Sequence, residues 1–212
     1  TKGLEGKELA ELALLKEAGA EAFTDAGRAL ADARVMQRAL AYASALDLLV
    51  VQHPEEPSLA SGGVVNDGAI AVRLGLRGIP AIAEVMMVER DLHLVRATGA
   101  RYHVAHISTR AAIDAVRRAK AEGLRVTCET TPHHLALNEL EVEGYRTFAK
   151  VSPPLRSEAD RMAVVEGLVD GTIDVIASDH SPQDQDSKRL PMAQAEFGVV
   201  GVETMLPVSL RL

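Results

Sequence analysis

The sequence predicts an α/β fold in which a parallel sheet is covered by helices. Strand and helix candidates alternate along the chain, and the strand candidates are continuous apolar runs of the kind buried on both faces. No Gly-, Ser- or Pro-rich stretch is long enough to separate two domains, so a single domain is expected.

The elements follow in order. Residues 8–18 carry Leu9, Leu12, Leu14 and Leu15 among Glu, Lys and Ala, an amphipathic helix that Gly19 closes. A short strand is expected over 22–24. A second helix over 32–45 has Val35, Met36, Leu40 and Ala41 at helical spacing, and the run Leu48, Leu49, Val50, Val51 reads as a buried strand. Helices over about 66–74 and 84–98 lead to a strand over 102–105. Ser108 and Thr109 offer an N-cap for a helix over 110–122, which Gly123 closes before a strand over 124–129. A last helix over 158–169, ended by Gly171, precedes the fifth strand at 175–177. Residues 181–191 are polar and aperiodic, hence a surface loop.

The 212 residues include 23 Lys plus Arg against 30 Asp plus Glu, a formal net charge of −7. With 47% hydrophobic and 25% charged residues the chain can bury a core, which excludes general disorder. An acidic surplus lacks the clustered cations that counterion release requires, so nucleic acid is not an expected partner. Cys128 stands alone and cannot form an internal disulfide, which points to the cytoplasm. No apolar run approaches the roughly 18 residues of a membrane span. Aromatics are 3% with no Trp, so a small polar or charged substrate suits the chain better than a stacked base or sugar.

In a parallel barrel or an open parallel sheet, functional groups collect beyond the carboxyl ends of strands. The five strand candidates run into Thr24-Asp25, Gln52-His53, His106, Glu129-Thr130 shortly before His133-His134, and Ser178-Asp179-His180. His53, His106 and Asp179 make an incomplete ligand set for a catalytic zinc, since neutral imidazole and carboxylate are its usual donors; the alternative for each is a hydrogen-bonded loop residue. By strand alternation His103 faces away from His106 and is structural. His133-His134 are either substrate groups or a polar turn. Glu55-Glu56 either bond loop backbone or buttress a ligand. Ser108 lacks a nucleophile elbow and reads as a cap; Cys128 reads as a small core residue. The Gly62-Gly63 and Gly75 to Gly78 stretches lack phosphate-loop spacing.

The segments Ala22-Phe-Thr-Asp-Ala-Gly27, Val51-Gln-His-Pro-Glu-Glu56, Tyr102-His-Val-Ala-His-Ile-Ser-Thr109, Val126-Thr-Cys-Glu-Thr-Thr-Pro-His-His134 and Lys150-Val-Ser-Pro-Pro-Leu-Arg-Ser157 resemble successive motifs of the bacterial class I dihydroorotases, a branch of the amidohydrolase superfamily. Asp170 to Pro182 and Phe197 to Thr204 continue the resemblance. It implies a (β/α)8 barrel of which strands four to eight are present here, with His53 and His106 as metal-binding histidines and Asp179 as the aspartate that touches the metal and shuttles the proton. The implied metal is zinc, one or two ions. The implied reaction is the reversible ring closure of N-carbamoyl-aspartate to dihydroorotate in pyrimidine synthesis, with a metal-bound hydroxide attacking the ring amide in the hydrolytic direction. A small anionic substrate, a homodimer and an association with aspartate carbamoyltransferase are the partners the resemblance implies.

Departures from the family pattern are as specific. The His-x-His-x-Arg motif of the first strand has no counterpart. The carboxylate expected before the glycine of the fourth-strand motif is Ala26, and Asp25 stands one residue early, a slip that reverses strand facing. The substrate-contacting Asn and His of the family are replaced by Ser152 and Gln183. Two readings follow: a working metal-dependent cyclic amidohydrolase, or a non-catalytic dihydroorotase-like paralogue that serves as a structural partner of aspartate carbamoyltransferase. A whole barrel takes about 250 residues, so residues 1–212 are expected to form an incomplete amidohydrolase barrel domain, without the first three strands and the C-terminal part, inactive by itself and with an open parallel edge.

Overall fold

The computed structural model describes residues 1–211. After a 3-10 turn, α1 (Leu12–Glu17) leads into β1 (Ala22–Phe23), and α2 (Ala33–Ala45) crosses over to β2 (Leu49–Gln52). The carboxylate of Asp32 starts α2 by accepting from the Arg34 and Val35 amides, satisfying donors that have no partner inside the helix. Between β2 and the next strand of the sheet the chain makes an excursion: α3 (Pro57–Ala60), β3 (Val65–Asn66), α4 (Ala69–Leu74) and β4 (Gly78–Ile79). The crossover helix proper, α5 (Ile82–Thr98), returns the chain to β5 (Arg101–Val104). Then come α6 (Arg110–Ala121), β6 (Val126–Thr130), the single turn α7 (Pro132–Ala136), α8 (Glu158–Val169), β7 (Val175–Ile176), α9 (Gln185–Lys188) and α10 (Val202–Ser209).

The main sheet has the order β1-β2-β5-β6-β7 with every pair parallel, so its strands lie side by side in chain order. This is the five-strand arc expected from sequence. Its outer face packs on α2, α5, α6 and α8, and the core lies in that layer: Met36, Leu40, Val88, Tyr102, Ile113 and Val116 are almost wholly buried. A fully buried Leu or Ile of this kind contributes about 1.5–3 kcal/mol by leaving water.

Two expectations need correction. The strands are not buried on both faces: β6 alternates buried Val126, Cys128 and Thr130 with exposed Thr127 and half-buried Glu129, because among the described residues only the outer face is covered by helices. The helix expected over 66–74 begins only at Ala69, and Asn66 belongs to a two-stranded parallel sheet of β3 and β4. Gly78 makes that pairing: a Cβ there would stand 2.4 Å from the Asp67 Cα, so only glycine lets the two backbones approach. No helix among the described residues is long and apolar enough to cross a membrane.

Candidate metal centre

The carboxyl ends of β2, β5, β6 and β7 open onto one cleft of about 530 Å³, lined by His53, His106, Glu129, Ser152 and Asp179 together with Ala26, Phe197 and Gly198. The pleat explains who faces it. In β2, Gln52 turns to the helices, where its amide meets Leu30 and Asp91, so His53 beyond it faces the cleft. In β5, Tyr102 faces the helices and its hydroxyl donates to Asp91 at 2.7 Å. His106 has the same parity as Tyr102, yet a left-handed backbone, φ +52°, turns its ring into the cleft. That turn removes the expected opposition between His103 and His106: both rings reach Glu129.

The groups meet in pairs. His106 Nδ1 stands 3.2 Å from Glu129 Oε1 and His106 Nε2 3.8 Å from Asp179 Oδ1; His133 Nε2 stands 3.5 Å from Asp179 Oδ2. The His53 and His106 rings are edge to face with centroids 5.9 Å apart. His53 Nε2 is 3.5 Å from the Ser152 hydroxyl, which also donates to Glu55 Oε1 at 3.4 Å. Burial, reinforced by His106, holds the His53 imidazole down at about 4 and that of His133 at about 3. Both rings are therefore neutral and present lone pairs at neutral pH. Burial pushes the Asp179 carboxyl up, against the pull of His106. His106 Nδ1 and His133 Nε2 are buried without a hydrogen bond of good geometry, as is Glu55 Oε2. Among the described residues no group of three or more His, Cys, Asp or Glu side chains stands close enough together to hold a metal ion without rearrangement. The donor types gathered here, the neutral His53 and His133 imidazoles, the His106 ring and the Asp179 carboxylate, are those a divalent ion takes.

His53, His106, Asp179 and Ser152 thus come together, and Gln183 does not join them: its amide donates to the Phe197 carbonyl at 3.1 Å on an exposed loop. Asp25 does not replace the carboxylate missing at Ala26. Its carboxylate accepts from the Thr1 hydroxyl, and it lines an apolar groove with Leu12, Met36 and Val50. The His133-His134 pair divides: His134 is structural, its ring bonded to Thr131 Oγ1 at 2.8 Å and to the Pro153 carbonyl at 3.1 Å, whereas His133 faces Asp179. Glu55 and Glu56 divide likewise. Glu56 caps α3 through the Leu59 amide, and Glu55 reaches His53 through Ser152. Thr109 caps α6, and Ser108 is locked onto buried Glu84. Cys128 is a core residue whose thiol burial pushes up to about 12.

The sequence places Glu129 at a strand end without a role and leaves His133 between a substrate group and a polar turn; the structure brings both against the site. A signal for Glu129 was present: Thr127 and Glu129 alternate with Val126 and Cys128, so β6 shows its polar side chains to one face. For His133 the sequence carries no comparable signal, because a one-turn helix decides which of two adjacent imidazoles turns inward.

A parallel arc wrapped by helices, with imidazoles and carboxylates at its strand ends, defines part of an amidohydrolase-type α/β barrel. Solved structures agree: an L-hydantoinase (dihydropyrimidinase) from Arthrobacter aurescens matches with a TM-score of 0.79 and 26% identity over 94% of this chain and 47% of that one, and a D-hydantoinase with 0.78 and 22% over 95% and 48%. The family model described as Dihydro-orotase-like matches residues 1–112, and the chain belongs to that family. A protein named dihydroorotase from Anaplasma phagocytophilum is 53% identical over 206 residues, 97% of this chain and 46% of that protein. Another of that name, from Syntrophotalea carbinolica, is 52% identical over all 212 residues and 50% of its own length. The chain therefore spans about half the length of these relatives.

Proposed function

We propose that the protein is a metal-dependent cyclic amidohydrolase that interconverts dihydroorotate and N-carbamoyl-aspartate, with His53, His106 and Asp179 holding zinc. The observation that carries this reading is the convergence of those three side chains on one cleft, in a chain about half identical to proteins named dihydroorotase. That identity favours the enzyme over the non-catalytic paralogue, although Ala26, Ser152 and Gln183 depart from the family pattern.

A zinc ion held there would polarise the ring carbonyl and acidify water. The chain's own residues do the rest. His53, kept neutral by burial, offers a lone pair rather than an N–H bond at its coordinating atom, and His106 presents its ring beside it. Asp179, between His106 and His133, is placed to accept a proton at Oδ1 or Oδ2 and return it to the leaving nitrogen, and its raised carboxyl brings it closer to the working pH. Ser152 offers a hydroxyl to the substrate from the wall of the cleft. Gln183 serves substrate binding through Phe197, whose carbonyl it holds. The homodimer, the carbamoyltransferase contact and the cytoplasmic location rest on the resemblance and on the cysteine usage. Sedimentation of the protein alone and mixed with aspartate carbamoyltransferase tests the first two.

The deciding experiment measures zinc content and dihydroorotate turnover together. Asp179→Asn is expected to lower kcat by about 10²–10⁴-fold, and His106→Asn to lose both metal and turnover. Tightly bound zinc without turnover in the unaltered protein would sink the enzyme reading and leave the paralogue.

A further inference from the structure

We propose that Glu129 is a positioning residue that fixes the proton and the aim of the His106 ring, with His103 and Thr127 as its anchor. The proposal rests on the reading of His106 as a metal ligand.

Glu129 stands with one carboxylate oxygen beside each of two histidines, Oε1 at 3.2 Å from His106 Nδ1 and Oε2 at 3.3 Å from His103 Nε2, both within reach of a hydrogen bond that a small change of ring angle completes. His103 in turn has Nδ1 2.7 Å from Thr127 Oγ1. Strand register builds this row. His103 and Thr127 are direct partners across β5 and β6, and Glu129, two residues further on, shows the same inward face. The left-handed link at His106 then brings a second ring to the other side of the same carboxylate.

The row dictates where protons sit. A carboxylate only accepts, so the His103 nitrogen that faces it carries hydrogen, and the remaining His103 nitrogen accepts from the Thr127 hydroxyl. By the same logic His106 carries its proton on Nδ1. Its Nε2 lone pair is left free, pointing toward Asp179 and the His53 side of the cleft. A change of ring angle at the existing 3.2 Å closes the Nδ1 hydrogen bond. A carboxylate in this place fixes ring orientation and raises the basicity of the coordinating nitrogen. With one oxygen facing each imidazole, Glu129 acts on a metal through His106 and not as a ligand itself.

The test is a histidine ¹⁵N NMR measurement on the complete, metal-free protein, paired with zinc affinity from competition with a chromophoric chelator. The expected spectrum has His106 in the Nδ1–H form and His103 in the Nε2–H form. Glu129→Gln, nearly isosteric but able to donate as well as accept, should blur both assignments and weaken zinc binding about 10–100-fold. Thr127→Val should weaken it less, with the His106 tautomer retained. An Nε2–H form of His106 in the unaltered protein overturns the proposal even if Glu129→Gln does not fold. So does unchanged zinc affinity in a folded Glu129→Gln protein. If the unaltered protein shows the expected tautomers yet takes up no zinc, the metal reading falls and the role of Glu129 in setting the ring stands.

Discussion

Two buried polar regions of this chain are built on opposite terms. Around Glu84, in the first turn of α5, the carboxylate accepts from the Ser108 and Thr109 amides at 3.0 Å each, from the Thr109 hydroxyl at 2.8 Å and from the Ser108 hydroxyl. Arg156 joins the same cluster through Ser108, Asn66 and the Ile79 carbonyl. These bonds tie α5, the start of α6 and the small β3–β4 sheet into one body. At the strand-end cleft the reverse holds. Among the described residues, four buried side-chain polar atoms lack a hydrogen-bond partner: one, Arg156 Nη2, is in the Glu84 cluster, while His106 lines the cleft and Glu55 and His133 stand behind its lining residues Ser152 and Asp179. A satisfied buried group rigidifies, while an unsatisfied one is held at a cost of about 1–3 kcal/mol. Where such costs cluster, the fold has set stability aside for something the side chains must still bind.

The contrast breaks first, if it breaks, at Glu84. Glu84→Ala should cost about 3–5 kcal/mol in urea denaturation, because it strands the buried Arg156 guanidinium; a cost below about 1 kcal/mol would show that the satisfied cluster is ornamental. A smaller effect, of a few kcal/mol, concerns the cleft histidines in chelating buffer. The unfolded chain takes protons near 6.5, while folded His53 and His133 refuse them down to about 4 and about 3. Stability should therefore fall as pH drops from 6.5 toward 4. Raised carboxyls at Glu55 and Asp179 add a stabilising contribution at acid pH that is lost as pH rises through their folded values, which blunts the fall. Thermal melts from pH 7.5 to 4.5 read the net slope, and a flat profile would contradict the neutral, buried rings. The smallest effect sharpens the comparison most. His133→Leu removes an unpartnered nitrogen and should leave stability unchanged within about 1 kcal/mol or raise it, whereas a loss comparable to Glu84→Ala would place His133 with the structural cluster.

Much of this was legible beforehand. The run from Leu48 to Val51 and the strand–helix alternation gave the parallel arc, and the polar residues at its strand ends gave His53, His106 and Asp179. The β3–β4 pair was not legible, since two-residue strands have no periodicity and their pairing depends on a close approach at Gly78. Alternation misled at His103 because it assumes an unbroken pleat, and β5 ends at Val104, two residues before His106. Asp25 shows the rule where it works: displaced by one residue, it went to the apolar groove, and Ala26 took the place on the cleft.

The left-handed backbone at His106, φ +52°, and at Asp179, φ +43°, also limits which replacements can be interpreted. Asn, Asp, His and Gly visit that region far more readily than other residues. Alanine at either position therefore alters the main chain along with the chemistry, and a β-branched residue does so severely. Asparagine keeps the local conformation while changing the functional group, so these two positions accept a narrow alphabet for reasons that would persist even in a relative with no catalysis to protect.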